Sequence, residues 1–463
     1  MTADLLVVGC SVAGRSEVDV RVREGVIVEI DSSLRRDGEE VLEAGGCALI
    51  PGLHDHHLHL HALAADLDSV RCGPPYANSP GQLAAALRGA SAAGRPVRGT
   101  GYHESVAGDL NRHVLDAWVS HVPVRIQHRS GAAWFLNSAA LRAAGLDAVR
   151  QSAVERDADD QPTGRLWRGD HLLRTISTPL PDLARVGRLL SQYGVTGVTD
   201  ATPGLSPHAL AALREGHATG EVPQRLLLLG AALSDAGPDV GPWKVVLDEV
   251  AGLDLEGLIE AVRSCHATRR AIAFHAVTAA EAVVAVAALR VAPPWAGDRL
   301  EHGSVLPTDL DKDLRELGVT VVTQPAFVAD RGDDYLTDVE PHDRQLLYRC
   351  RSLLDIGVRV AAGSDAPYSD LDPWQAMAAA VSRRTRHGVV LGDRERLDAA
   401  TALRLYLGSP LDPGGPPRRI SPGGAADLCL LDAPLDVVLA DPAAGRVKAT
   451  AVAGLIVHRR PDC

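Results

Sequence analysis

The chain has 463 residues, 46% of them hydrophobic and 23% charged, with a formal net charge of −12. This is the composition of a globular protein long enough for one large and one smaller domain, and its negative balance argues against a nucleic-acid backbone as partner. No apolar run approaches the ~20 residues that span a bilayer, the start MTADLLVVGC lacks the basic-then-apolar pattern of a secretory signal, and seven scattered cysteines without a CxxC pair fit reduced thiols in a cytoplasm.

Residues 4–50 carry short strands: DLLVVG, then VDVRV and VIVEI joined at Arg23-Glu24-Gly25. CALI leads on to Pro51-Gly52. The stretch LIPGLHDHHLHLH (49–61) then places five histidines and an aspartate within eight positions. Side chains two apart on a strand share a face. His57 and His59 therefore project together from a strand end and make half of a metal site, with Asp55 on the same face as support. His54 and His56 point to the opposite face, and His61 lies past the strand end. A His-rich surface loop is the plain alternative, but an apolar strand running straight into the cluster argues for a fixed site.

Residues 62–190 form a long excursion with its own strand, VPVRIQH (122–128), and helices around SAALRAAG and DLARVGRLLSQYG. Within it Tyr102, His103, His128, Arg129, Trp134 and Arg168 are polar or aromatic groups that could line a pocket. Core packing for Trp134, an ordinary ion pair for Arg168 and a helix cap at Asn137-Ser138 are the simpler assignments. A guanidinium of Arg129 or Arg168 facing the site would favour a substrate carboxylate, which it binds bidentately.

From residue 195 onward, strand candidates alternate with helix-period segments. The strands are VTGVTDA, QRLLLLG, WKVVLD, AIAFHAV, RLEHG, VTVVTQP and VRVAAGSDAP. The helices are LEGLIEAVRSCHATRR, AAEAVVAVAALR, PTDLDKDLRELG and RQLLYRCRSLLDIG. With the strand leading to His57 this makes eight strands, an α/β pattern that predicts a distorted parallel (β/α)8 barrel over 51–409. One step is irregular: SDAGPDVGP between the third and fourth strands is too short for a helix. ADLCLLD and ATAVAGLIVHR are strand-like again. Residues 1–50 and 410–463 are therefore expected to form one small β-sandwich, since neither end alone has enough strands to bury a face.

Barrels of this kind carry their active sites at the C-terminal strand ends. There the fourth strand offers Lys244, the fifth His275, the sixth His302 and the eighth Asp365. Singly, each histidine could be a satisfied core residue, and Asp365 a turn cap. Jointly they complete the half-site of His57 and His59. Lys244 is the sharpest of them. Only Lys244, Lys312 and Lys448 are lysines among the 47 basic residues, so a plain salt bridge would use arginine here. A lysine in the apolar run WKVVL snorkels, stays buried at a desolvation cost, faces a substrate, or is chemically used. Lysine alone can add CO2 to become a carbamate, an anionic ligand able to bridge two metals about 3.5–4 Å apart.

Taken in order, PGLHDHHLH (51–59), WKVVLD (243–248), FHAV (274–277), RLEHG (299–303), TQPAF (323–327), GSDAP (363–367) and GGAADLCLLD (423–432) resemble the amidohydrolase superfamily, in particular the YtcJ-like branch of amidohydrolase family 3. The resemblance spans nearly the whole chain. It implies a distorted barrel with a β-sandwich from both termini, and metals at His57, His59, carboxylated Lys244, His275, His302 and Asp365. It also implies hydrolysis of an amide, formamide, carbamate or cyclic amide bond of a small molecule. Asp365, with Lys244 and His302, would carry the chemistry, Asp365 taking a proton from the attacking water and passing it to the leaving nitrogen. Two zinc ions bridged by carboxylated Lys244 are expected, or one metal if Lys244 is unmodified; imidazole and carboxylate ligands suit manganese, iron or nickel as well. Gln324 joins the six excursion residues as a substrate-contact candidate. Where the branch commonly shows His-Ala-Ile-Gly-Asp, this chain has HAVTAAE (275–281), and TGRLWRGD (163–170) puts Arg168 near an expected glutamate. These differences bear on specificity rather than on metal binding.

Two other readings share the sequence. A deaminase or mononuclear deacylase would use His57, His59, His275 and Asp365 with unmodified Lys244. A non-catalytic scaffold would need the fold alone, but a retired site has no chemical reason to keep six ligands. A homodimer is the default assembly.

Overall fold

The computed structural model of the chain describes residues 3–169, 172–173, 181–443 and 446–461. Its contacts divide the chain into two units, Met1–Leu60 with Leu183–Cys463, and His61–Asp182.

The first unit opens with β1 (Leu5–Val12), β2 (Arg15–Arg23), β3 (Val26–Asp31) and β4 (Glu40–Glu43), a sheet in the order β3-β2-β1-β4. Glu24 and Gly25 turn β2 into β3, both at positive φ, a conformation glycine adopts without a Cβ penalty. β5 (Leu49–Pro51) and the wholly buried β6 (Leu53–Leu58) follow.

In the second unit, β7 (Val70–Arg71), β8 (Val97–Tyr102), β9 (Val124–His128), β10 (Ala133–Leu136), β11 (Val154–Arg156) and β12 (Pro162–Trp167) form one six-stranded sheet, order β11-β12-β10-β9-β8-β7. The sequence pattern predicts β9 alone. The other strands are short, and Gly99 and Gly101 interrupt the β8 pattern. Gly99 has a packing reason, since a Cβ there would sit 2.4 Å from Cys72 Sγ. The helix expected at SAALRAAG is Ser138–Ala143, and the buried Asn137 caps it by accepting the Ala140 amide.

The first unit resumes with β13 (Val195–Asp200) and β14 (Arg225–Leu228), which pair in parallel with β6 in the order β14-β13-β6. β15 (Trp243–Val246), β16 (Ile272–Ala276), β17 (Arg299–His302), β18 (Thr320–Thr323) and β19 (Arg359–Ala362) form a five-stranded parallel sheet in chain order. All eight strands predicted for the middle of the chain are thus present, most of them as near-continuous buried runs, with β14 and β15 partly exposed. Backbone hydrogen bonds also run from one sheet to the other: Lys244 N to Leu229 O at 3.1 Å, Asp365 N to His57 O at 2.7 Å, and His59 N to Ala366 O at 2.9 Å. Crossover helices start where side chains cap them, Ser206 before Pro207–Thr219, Asp254 before Leu255–Ala267, and a Thr278/Glu281 capping box before Ala279–Arg290.

One helix expectation is corrected. RQLLYRCRSLLDIG (344–357) is not one helix but a 3-10 turn, Arg344–Leu346, and a short helix, Arg351–Asp355. Leu347 leaves the helical path to bridge Val305, and the Arg383 guanidinium takes the carbonyls of Leu347 and Tyr348. The long helix lies earlier, at Ala326–Asp338. Gly332 and scattered acids mask its period, yet a Cβ at Gly332 would meet the Thr385 side chain at 2.6 Å.

β20 (Leu428–Leu431), β21 (Val447–Val452) and β22 (Leu455–Arg459) join β5 in the order β22-β21-β20-β5. Leu5, Val7, Val20 and Leu49 share one buried cluster with Leu428, Leu430 and Ala449, so the two chain ends bury each other's apolar faces. Among the described residues no helix is long and apolar enough to cross a membrane. Six cysteines are described, none of them in a disulfide, and Cys463 lies outside the described residues.

Gly363 fixes how β19 meets β6. A Cβ there would lie 2.5 Å from His57 N and 2.7 Å from His57 Cβ. The Gly363→Ala variant is expected to lose stability by about 1–3 kcal/mol, the usual cost of overpacking. Because the clash is with His57 backbone, divalent-metal affinity should fall with it. Chemical denaturation and metal titration check this; wild-type values in both would refute it.

Candidate metal centre

β6 ends in the side chains that matter most. The Asp55 carboxylate accepts the amides of His57 and Ser364, each at 3.0 Å, and so ties the end of β6 to the loop after β19. Burial pushes the Asp55 pKa up to about 6 against those hydrogen bonds. Asp365, in that loop, has left-handed backbone at φ 56°. His57, His59 and Asp365 each offer a ligand atom within 4.8 Å of the others. His59 Nε2 lies 3.1 Å and His57 Nε2 3.5 Å from Asp365 Oδ1. The far ring nitrogens are engaged elsewhere, His59 Nδ1 with Thr202 Oγ1 at 3.0 Å and His57 Nδ1 with Glu301 Oε2. Such outer partners orient metal-binding imidazoles.

The later candidates converge on the same place. His302 ends β17 at φ 73°, and its Nε2 lies 3.0 Å from His275 Nδ1. The His302 and His57 ring centroids are 4.7 Å apart. In the parallel ladder Lys244 stands beside Ala273 and His275 beside Glu301. Lys244 is buried, and its Nζ has no hydrogen-bond partner among the described residues. Burial pushes its pKa down to about 8, against the pull of Glu301 and Asp365. Burial likewise holds His57 and His302 neutral, helped by neighbouring basic groups. Neutral imidazole is the ligand form.

These residues fit a divalent cation. An unpaired amine, Lys244 Nζ, and an unpaired imidazole nitrogen, His57 Nε2, are both buried, the imidazole nitrogen 3.5 Å from Asp365 Oδ1, an arrangement that is costly unless something occupies the gap. Imidazole and carboxylate together suit a borderline divalent metal.

The substrate-contact candidates are placed less favourably. Gln324 is fully buried, with Oε1 at 2.9 Å from His302 Nδ1 and its amide turned to Val322 O, so it braces His302 rather than facing a substrate. The other six lie in the second unit. Tyr102 is fully buried and its hydroxyl donates to Gly108 O. Trp134 is buried, with the guanidiniums of Arg98 and Arg125 at 5.4 and 5.7 Å from its ring centroid. Both therefore build that unit's interior, as the core assignment of Trp134 anticipates. His103 caps the helix Glu104–Ala107, His128 Nε2 meets Glu104 at 3.3 Å, and the amides of Arg129 and Arg168 bond to Tyr102 O and Ala132 O. His54 and His56 are buried as well, His54 bonding to Thr199 Oγ1.

Sequence reasoning missed Glu301. It sits next to a metal-ligand candidate and two positions after Arg299, a carboxylate inside a wholly buried strand. That oddity is the signal that could have marked it.

Residues 40–458 match the amidohydrolase family. The chain is 28% identical to an N-substituted formamide deformylase of Arthrobacter pascens, over 94% of this chain and 93% of that protein. It is 25% identical to the putative amidohydrolase YtcJ of Bacillus subtilis (strain 168), over 79% and 80% respectively. An uncharacterized metal-dependent hydrolase of Pyrococcus horikoshii shares the fold, with a TM-score of 0.76 at 19% identity, over 93% of this chain and 97% of that one. A family match that runs from β4 to β22 and takes in every ligand candidate means that this chain belongs to the amidohydrolase family and is a hydrolase of carbon–nitrogen bonds.

Proposed function

We propose that the chain hydrolyses an amide, formamide, carbamate or cyclic amide bond of a small molecule, using divalent metal held by His57, His59, Lys244, His275, His302 and Asp365. The observation that carries this reading is the buried, unpaired Lys244 Nζ within electrostatic reach of Asp365, His57 and His302. In the same reading the two parallel sheets are arcs of one distorted (β/α)8 barrel, the terminal sheets form a β-sandwich, and residues 62–190 are an insertion between the first two barrel strands. The compartment is the cytoplasm and the default assembly a homodimer.

When bound, the metal lowers the pKa of water toward about 7 and polarises the scissile carbonyl. The chain's own residues do the rest. Asp365 accepts a proton from the attacking water and delivers it to the departing nitrogen, which leaves readily only once protonated. Thr202 and Glu301 hold the rings of His59 and His57. Lys244, poised by burial to lose its proton, attacks CO2; the new N–C bond gives a carbamate and the displaced proton goes to solvent. The carbamate would add an anionic ligand to those that hold the metal.

A second reading uses one metal and an unmodified Lys244. Its support is that His57, His59 and Asp365 are the group that lies within 4.8 Å of one another among the described residues. Metal stoichiometry and the intact mass at Lys244 separate the two.

The formamide deformylase relative makes N-substituted formamides the first substrates to try. Zinc-loaded protein is expected to turn over at least one class among N-formyl, N-acyl, carbamate and cyclic amide compounds. Chelation should abolish turnover and added zinc restore it. Zinc-bound protein inert on all four classes would refute the proposal.

A further inference from the structure

We infer that Glu301 is a positioning residue which locks His57 into one tautomer and ring orientation, and that Arg299 holds Glu301 in place for that task. The inference rests on the reading of His57 as a metal ligand.

Arg299 and Glu301 are two apart on β17 and so share a face. Both are buried, Glu301 completely and Arg299 to 1% exposure. Glu301 Oε2 contacts His57 Nδ1, and Glu301 Oε1 lies 2.6 Å from Arg299 Nε. An ionised carboxylate can only accept hydrogen bonds. Nδ1 of His57 must then carry the ring proton, which leaves the lone pair on Nε2. That atom is buried, makes no hydrogen bond, and faces Asp365 Oδ1 at 3.5 Å.

The other ring partners are less exacting. His59 Nδ1 is met by the Thr202 hydroxyl, which donates or accepts equally well. His302 Nδ1 is met by the Gln324 amide oxygen, whose orientation rests on a long 3.4 Å bond from the amide nitrogen to Val322 O. Glu301 alone of the three is a carboxylate, itself held by an ion pair. It is also the only ion-pair partner of Arg299 among the described residues, and the Arg299 guanidinium makes no hydrogen bond of good geometry. Without Glu301 the arginine would be an uncompensated buried charge, so a defect in folding has to be separated from a defect in positioning.

Two variants do so. Glu301→Gln removes the carboxylate. The double variant Arg299→Met/Glu301→Gln also removes the orphaned charge. Zinc affinity is measured by chelator competition on each full-length protein, and the His57 tautomer by 15N NMR on the metal-free protein. Glu301→Gln should bind zinc 10–100-fold more weakly, the usual effect of losing a partner behind a metal-binding imidazole, and its His57 should populate both tautomers. The double variant should regain thermal stability but not zinc affinity. Wild-type affinity with an unchanged Nδ1–H tautomer in Glu301→Gln would overturn the inference, as would recovery of affinity in the double variant. If the wild-type protein itself binds no zinc, the ligand reading of His57 fails; the tautomer comparison still decides the role of Glu301.

Discussion

Replacing Lys244 by methionine is expected to abolish hydrolysis while making the metal-free protein more stable. Methionine matches the length of the lysine stem but cannot add CO2. The Lys244 Nζ is buried with no hydrogen-bond partner among the described residues, and burial has already pushed its pKa down to about 8. An unsatisfied buried polar group costs about 1–3 kcal/mol, and more when charged. Removing it should recover that much in denaturant unfolding of the metal-free protein. If the carbamate is a ligand, kcat/KM should drop at least ~10³-fold, about 4 kcal/mol of transition-state stabilisation, and bound zinc should fall from two per chain to one or none. Lys244→Arg should fail as badly, because it keeps the charge but cannot be carboxylated. Near-normal turnover in the Lys244→Arg enzyme would show that only a cation is needed there. One zinc and most of the activity in the Lys244→Met enzyme would establish the mononuclear reading.

The eight parallel strands and the six ligand candidates could be found without coordinates because the same physics writes both. A strand buried on two faces must be a nearly continuous apolar run, so a histidine, lysine or aspartate at its C-terminal end stands out. His275 after IAF is visible for that reason, whereas Lys244, the second residue of β15, is visible as a lysine within the apolar run WKVVL. The residues behind the ligands are not. Glu301 contacts a ring from β6 and Gln324 a ring from β17, partners far apart in sequence or on another strand that meet only when the chain folds, and neither has a sequence period to betray it. The second unit's sheet escaped for a different reason. Its strands are short, and β8 contains two glycines whose packing use, a close approach to Cys72 in one case, is tertiary. The Ala326–Asp338 helix was hidden likewise by Gly332, kept for contact with Thr385. Tyr102 and Trp134, both buried, show the reverse ambiguity. An aromatic side chain that could line a pocket is, from sequence, indistinguishable from one that fills a core.

Asp365→Asn is expected to cost ~10²–10⁴-fold in kcat/KM, the range for loss of a placed proton carrier. The substitution is well suited to the site. Asp365 adopts left-handed backbone at φ 56°, which asparagine tolerates better than other non-glycine residues, so the loop holding Ser364 and Ala366 should keep its shape. The amide oxygen can still lie near His57 and His59, whose Nε2 atoms are 3.5 and 3.1 Å from Oδ1. What is lost is the capacity to take up a proton and hand it on. The loss should therefore depend on the leaving group. An N-alkyl formamide, whose amine cannot depart unprotonated, should show the full effect. An ester or an activated anilide of the same acyl group needs little proton delivery and should be affected at least ten times less, a difference of about 1.4 kcal/mol in the barrier. Zinc content is measured alongside, so that a weaker metal site is not mistaken for a slower proton transfer. An equal loss on both substrates at full zinc occupancy would remove Asp365 from the proton path and leave it the role of ligand alone.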